Sequence, residues 1–402
     1  MKRVVVTGLG VVSPVGVGTS VTWDALLRGD SGIRPVASFD TAAYPVHLGG
    51  EVPGFDPAPH HRRLDPAKIG RASQLAIAAA RIALTDAGID PAALDRSRIG
   101  VSMGTTSGEP TMVERYNDAR KAAADPAPEL FRNYPCHVIP AHVAAELELG
   151  GPALMIPTAC AAGNYAIGYA FDLVRTGRVD AMLAGGADAF SRIPYTGFAQ
   201  LGAIAPERCQ PFDRNRKGMV PGEGAAILVL QPLDAVKPGT KIYAEILGYG
   251  VSCDAHHMTA AHPDGDGAIR AMSMAMRESG VTTEDVGYIS AHGTGTKAND
   301  RIESIALHGL FGERAPKVPM SSIKSMIGHT MGAASAIEAA VCSLVVQTGW
   351  APPTANFEEP DPECEVDCVP NQARKVDPRV VLNNAYAFGG NNASLCLRRY
   401  EG

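Results

Sequence analysis

Residues 158–177 read TACAAGNYAIGYAFDLVRTG, and residues 329–349 read HTMGAASAIEAAVCSLVVQTG. Both are small-residue helix starts that run into amphipathic helices ending in Thr-Gly. A second pair flanks them in the same order. Residues 1–16 (MKRVVVTGLGVVSPVG) and 241–257 (KIYAEILGYGVSCDAHH) each give an apolar strand, a G-x-G, then Val and Ser. Two matched segments in one order read as diverged copies of a single unit. The halves would be residues 1–240, carrying Cys160, and residues 241–402, carrying His292, His329 and the segment around Phe388.

The 402 residues are 46% hydrophobic and 19% charged, an ordinary balance for a soluble globular protein. A net charge of −6 without a basic block gives no reason to expect nucleic acid or a membrane as partner. The N-terminal apolar run is too short and too broken by Gly and Pro for a signal peptide or a spanning helix, which predicts a cytoplasmic protein. The eight cysteines are then expected to be reduced. Cys364 and Cys368 are the only close pair, without C-x-x-C spacing or a nearby His. His60–His61 and His256–His257 lack partners at ligand spacing, so both pairs read as surface loops and no metal is predicted.

Strand-like and helix-like segments alternate along the chain, which predicts an α/β protein. RVVVTGLG, RIGVSMG, AMLAGGAD and GEGAAILVLQPL read as strands. TSVTWDALLRG reads as a helix capped by Thr19 or Ser20 and closed by Gly29. Residues 68–88, KIGRASQLAIAAARIALTDAG, read as a longer helix, apolar on more than one face and so heavily buried, with Gly88 at its end. Two motifs are decoys. GLGVVS at Gly8 has Ser13 at the third glycine position and Pro14 after it, so no helix N-terminus is available for a dinucleotide. GVSMG matches a nucleophile elbow at Ser102, but a turn composition follows where a helix is needed.

Cys160 sits at a predicted strand-to-helix junction, where the helix dipole favours a thiolate. Ala161, Ala162 and Gly163 leave room for a substrate. DVGYISAHGTGT reads as a strand delivering His292 into a loop whose Thr294 and Thr296 suit a polar ligand arm. Asp300 and Glu303 open the next helix, where carboxylates suit the dipole. Lys324, His329 and Glu338 surround another helix start. His329 and Glu338 are about two and a half turns apart, off a common face, so any link between them runs through Lys324 or the fold. A cysteine with two histidines is a coherent set: the thiol attacks a thioester, and the imidazoles donate to the enolate or oxyanion or move a proton.

These motifs strongly resemble the β-ketoacyl-acyl-carrier-protein synthases, the elongating ketosynthases of type II fatty acid and polyketide assembly. The resemblance runs from VVVTGLGVVSPVG through SFDTAAYPVHLGGEV, TACAAG, PFDRNRKGMVPGEGAA, AHGTGT and KSMIGHTMGAASAIEA to AFGGNNASL, nearly the whole chain. It implies the thiolase fold, two similar halves in five α-β-α-β-α layers. It makes Cys160 the nucleophile, His292, His329 and Lys324 catalytic, and Asp300, Glu303 and Glu338 supporting. Thr294 and Thr296 would hold a phosphopantetheine arm. The backbone N–H groups of Cys160 and Phe388 would form the oxyanion hole, with Phe388 as the gate.

The implied reaction is a decarboxylative condensation of an acyl-Cys160 enzyme with malonyl-acyl-carrier protein. No bound cofactor is expected, since substrates arrive on the carrier's arm. The implied partners are an acyl carrier protein and a second chain, either a copy or a paralogue. Three residues depart from the pattern: Ala387 for Gly before the gate, Asn391 for Thr after it, and Met219 for Phe. An Ala hinge predicts a stiffer gate, and the departures leave specialised polyketide or polyene pathways open. Two other readings compete. A chain-length-factor-like partner subunit would lack the nucleophile, which is present here. A thiolase-like or thioester-hydrolysing enzyme would fit a His–Cys set better than Cys–His–His.

Overall fold

The computed structural model describes residues 1–402. Ten strands follow one another across a continuous sheet path. The first half supplies β1 (Val4–Ser13), β2 (Ile99–Gly104), β3 (Ala153–Ile156), β4 (Ala181–Asp188) and β5 (Gly224–Pro232). The second supplies β6 (Ala244–Cys253), β7 (Val286–Ser290), β8 (Met320–Ser321), β9 (Val380–Tyr386) and β10 (Asn391–Arg398). In space the path is β8-β7-β9-β10-β6-β1-β5-β4-β2-β3. Each half therefore has the same order: third, second, fourth, fifth, first. The directions repeat as well. The second strand is parallel to the third and the fourth. The fifth is antiparallel to the fourth and the first. The halves join where β1 pairs with β6, Val4 opposite Ile246 through Val6 opposite Ala244.

Two pairs of helices repeat in step. Among the helices of the chain are α1 (Thr19–Arg28), α2 (Arg71–Asp86), α3 (Ala162–Arg175), α4 (Asp266–Ser279), α5 (Lys297–Phe311) and α6 (Ala334–Thr348). α2 follows β1 as α4 follows β6, and each covers an outer face of the sheet. α3 leads into β4 as α6 leads into β9, and this pair packs together between the two half-sheets. The result is the five-layered thiolase fold. All ten residues of β1 are buried, which is why its sequence shows no alternation of apolar and charged residues. The Met331–Thr348 segment is long and apolar enough to cross a membrane, but 89% of it is buried, as befits the central layer.

The decoy glycines have a packing role. A Cβ on Gly8 would lie 2.3 Å from the Ala83 carbonyl oxygen, and one on Gly10 1.9 Å from that of Ala79. They let β1 lie directly against α2. Ser102 is buried and donates to the Ala166 carbonyl at 2.9 Å, so it is a core hydroxyl and no nucleophile. The cap expected at Thr19 or Ser20 is corrected. Gly18 precedes the helix, Thr19 is already helical, and its hydroxyl donates to the Leu9 carbonyl at 2.7 Å. Gly29 closes α1 in the left-handed conformation as expected, and Gly88 lies just past α2 at φ 63°.

The two central helices meet closest at their N-termini. The Asn164 N–H donates to Ser335 Oγ at 3.1 Å, and a Cβ on Gly163 would sit 2.5 Å from the Ala336 nitrogen. Gly163→Ala is expected to destabilise the protein by about 1–3 kcal/mol through overpacking, measured by denaturant unfolding. An unchanged midpoint would mean that the layers separate easily. At the far end of the path, β3 has no partner on its outer side. Ala153 is exposed there, and Leu154, Met155 and Ile156 are half-buried.

Candidate active site

Cys160 lies in a 3-10 turn, Ala159–Ala161, between β3 and α3. Ala159 enters it at φ 50°, a strained conformation that a small side chain tolerates and that turns the thiol inward. Cys160 is 9% exposed. His292 follows β7, and His329 follows a turn closed by Gly328 at φ 72°. The fold brings all three together. His329 Nε2 lies 3.1 Å from Cys160 Sγ, and the imidazole centroids are 5.5 Å apart at 83°. One thiol and one nitrogen from each ring fall within 4.8 Å of one another.

The protonation state of His329 follows from its neighbours. The Met331 N–H donates to His329 Nδ1 at 3.2 Å, from a residue held at φ 56°. A neutral imidazole accepting at Nδ1 carries its proton on Nε2. His329 is thus a donor toward the sulfur. Burial lowers the pKa of both histidines well below the ordinary range, and the Lys324 charge adds to this, so both are neutral near pH 7.

Lys324 is not a surface charge. It is fully buried and forms an ion pair with Glu338, which projects from α6. Burial raises Glu338 to about 7 despite the pull of Lys324. Lys324 is therefore a buried cation bonded to Glu338 but not to His329, and it acts on both histidines and the thiol through its charge. Asp300 and Glu303 are also buried, not solvated helix-end charges. Asp300 accepts from the N–H groups of Phe212 and Gly295, and Glu303 from those of His292 and Gly293, both at 2.8 Å. They hold the Gly-Thr loop from beneath. Thr296 caps α5 by accepting from Asn299 N–H, and its hydroxyl meets that of Thr294 at 2.9 Å.

A cavity of about 330 Å³ runs from Cys160 and both histidines past Thr294 and Thr296 to Phe388. Phe388 is 41% exposed at its mouth, 6.0 Å from the Phe198 ring. The turn after Phe388 places Gly389 and Gly390 at positive φ, and Gly389 N–H donates to the Met258 carbonyl. Ala387, at φ −128° and ψ 154°, is ordinary extended backbone, so this conformation makes no demand for glycine there. Met219 is buried in the cavity wall, and Asn391 begins β10, its carbonyl accepting from Ala387 N–H. Of the paired histidines away from this site, His256 and His257 are exposed, whereas His60 and His61 are half-buried, His60 against Phe55. All eight cysteines are free.

The expectation of a resting thiolate at Cys160 is corrected. Burial pushes the thiol up to about 12, more than the nearby Lys324 lowers it. Alkylation of Cys160 by iodoacetamide is therefore expected to keep accelerating from pH 7 to pH 9, approaching tenfold per unit, since only the thiolate reacts. A plateau below pH 8, read by peptide mapping, would mean that the helix dipole wins.

Two buried residues escaped the sequence reading. Asp188, at the end of β4, accepts from Thr105 Oγ1, Thr106 N–H, Ser107 N–H and Gly332 N–H, tying the loop after β2 to the segment behind His329. An acid ending a buried strand was its only signal. Tyr386 ends β9, two residues before Phe388, and lines the cavity. A lone Tyr in an apolar strand reads as core.

The family profile described as Beta-ketoacyl synthase, N-terminal domain, matches residues 1–235, and that of the C-terminal domain matches residues 243–358. The chain belongs to the β-ketoacyl synthase family. Among its β-ketoacyl synthase relatives, the tetracenomycin polyketide synthase ketoacyl synthase alpha subunit of Streptomyces glaucescens is 41% identical over 99% of this chain and 97% of that one. The 3-oxoacyl-[acyl-carrier-protein] synthase 2 of Staphylococcus aureus (strain COL) is 39% identical over 100% and 99%. Among solved structures, the ishigamide ketosynthase/chain length factor superposes with a TM-score of 0.94 at 44% identity, each chain covered fully. A type II polyketide ketosynthase in complex with its acyl-carrier protein gives 0.91 at 31%, again with full coverage of both.

Proposed function

We propose that this chain is an elongating ketosynthase that condenses an acyl group on Cys160 with malonyl-acyl-carrier protein. The contact of His329 Nε2 with Cys160 Sγ, at the inner end of a cavity that opens past two threonines and a phenylalanine, carries this reading. The Cys160 sulfur attacks the acyl thioester, and the carrier's thiol leaves with the proton. The malonyl unit, delivered on a phosphopantetheine arm beside Thr294 and Thr296, then loses CO2. The electron pair of the broken C–C bond becomes an enolate, whose oxygen takes hydrogen bonds from His292 and His329. The carbanion attacks the acyl carbonyl, the C–S bond breaks with its electron pair returning to the Cys160 sulfur, which takes up a proton, and the 3-ketoacyl-carrier leaves. The backbone N–H groups of Cys160 and Phe388, which donate to no other backbone group, stabilise the oxyanions. Lys324, paired with Glu338, supplies fixed positive potential beside the cluster.

The two halves, residues 1–240 and 241–402, divide the work: nucleophile from one, histidines and gate from the other. The half-buried apolar edge at β3 is an unpaired template that needs covering. We assign it to a second chain, a copy or a paralogous ketosynthase-like subunit, and place the assembly in the cytoplasm. The substrates bring their own prosthetic arm, so no further cofactor is required. Retention of Cys160 with both histidines favours this reading over a non-catalytic partner subunit. Intact-mass analysis with malonyl-carrier and a panel of acyl-carriers tests it. A mass gain on Cys160 followed by release of a 3-ketoacyl-carrier is expected. Acyl loading that ends in hydrolysis, or no loading with any acyl length, would overturn it and leave the thioesterase or partner-subunit reading.

A further inference from the structure

His292 and His329 are asked to do similar work, but only one has its tautomer fixed by the backbone. Met331 N–H donates to His329 Nδ1. His292 Nδ1 is sealed from solvent and has no partner. The hydroxyl of Tyr386 is likewise sealed and without a partner. The two rings meet edge to face, with centroids 5.8 Å apart at 67°. The Glu303 carboxylate, bound to the N–H groups of His292 and Gly293, adds to the upward push of burial on the phenol. The phenol keeps its proton.

A neutral His292 has one N–H to place. On Nδ1 it would be a buried donor without an acceptor, and Nε2 would face the cavity as an acceptor, repelling a developing oxyanion. On Nε2 it faces the cavity usefully, and Nδ1 needs a donor. Burying a polar group without a partner is unfavourable, so two of them on adjacent rings favour a mutual bond. Catalytic hydrogen bonds are often long before substrate binds and tighten in the complex. We propose that Tyr386 is a positioning residue for His292: its hydroxyl closes on Nδ1 as the cavity fills and holds the imidazole with its proton on Nε2. Tyr386 is then to His292 what the Met331 amide is to His329. The charged and titratable groups around His292 are Cys160, His329, Lys324, Glu303 and Tyr386. None of the others donates to its Nδ1.

The kinetic test rests on the proposed condensation, whereas a tautomer test does not. Two-bond 1H–15N correlations of His292 are recorded for the wild type and Tyr386→Phe, each with Cys160 free and carboxamidomethylated. The wild type is expected to show the Nε2–H form, most fully with the cavity filled. The variant is expected to show both tautomers and protonation of His292 at higher pH, because the bond that stabilised the neutral ring is gone. Equal tautomer populations in the two proteins would overturn the inference whatever the substrates prove to be. With malonyl-carrier, kcat for decarboxylation in the variant should fall about tenfold, with KM within about twofold and acyl loading on Cys160 unchanged. A raised KM with intact kcat would make the hydroxyl a direct substrate contact. Loss of loading together with a lowered melting temperature would make it structural. Either result sinks the positioning role.

Discussion

Cys160→Ala is expected to abolish acyl-enzyme formation completely while leaving the melting temperature near that of the wild type. The substitution removes one sulfur from a turn whose other residues, Ala159 and Ala161, are already alanine. The cavity left at a site already open to a 330 Å³ pocket relaxes into it and adds little strain. Intact mass after incubation with acyl-carriers is the readout. A covalent acyl group on the variant would move the nucleophile elsewhere, and the seven other free thiols are the places to look.

His329→Ala is expected to slow malonyl decarboxylation by about 100- to 1,000-fold, the usual consequence of losing one preorganised donor worth about 2.7–4 kcal/mol. Acyl loading should suffer less. With Nδ1 occupied by the Met331 amide, the resting imidazole donates toward the sulfur and does not stand ready to take its proton. Its value to loading is thiolate stabilisation, which α3 and Lys324 share. Its value to decarboxylation is a donor for enolate charge, for which only His292 can substitute. Single-turnover loading and CO2 release, measured separately, give the two numbers. Normal CO2 release with failed loading would make His329 the base of the thiol, with the opposite tautomer.

The fold was legible because the duplication left its trace at helix starts, and these are the segments where close packing forbids drift. Gly163 cannot gain a Cβ against Ala336. The Cys–His–His set was legible for a similar reason: each member sits in a run of small residues that the backbone geometry demands. Electrostatic environments were harder. A lysine before a helix looks the same in sequence whether solvated or buried, and Lys324 is buried only because Glu338 reaches it from a helix whose facing depends on the whole central layer. The thiolate expectation failed likewise, since a helix dipole is local whereas desolvation depends on every element packed around the thiol. Tyr386 was hidden because its chemistry lies in what its hydroxyl lacks, and only coordinates reveal a missing partner.

The outer edge at β3 is separated from Cys160 by Pro157, Thr158 and Ala159 alone. Whatever covers that edge also braces the strand that leads into the Cys160 turn. Catalytic competence should then track concentration: on dilution below the dissociation constant, each chain would keep its pocket, its histidines and the inward-facing Cys160 yet lose the bracing of the segment that carries it. A compound that caps this unpaired edge would act on the enzyme from outside, with no atom in the cavity and no competition from an acyl substrate.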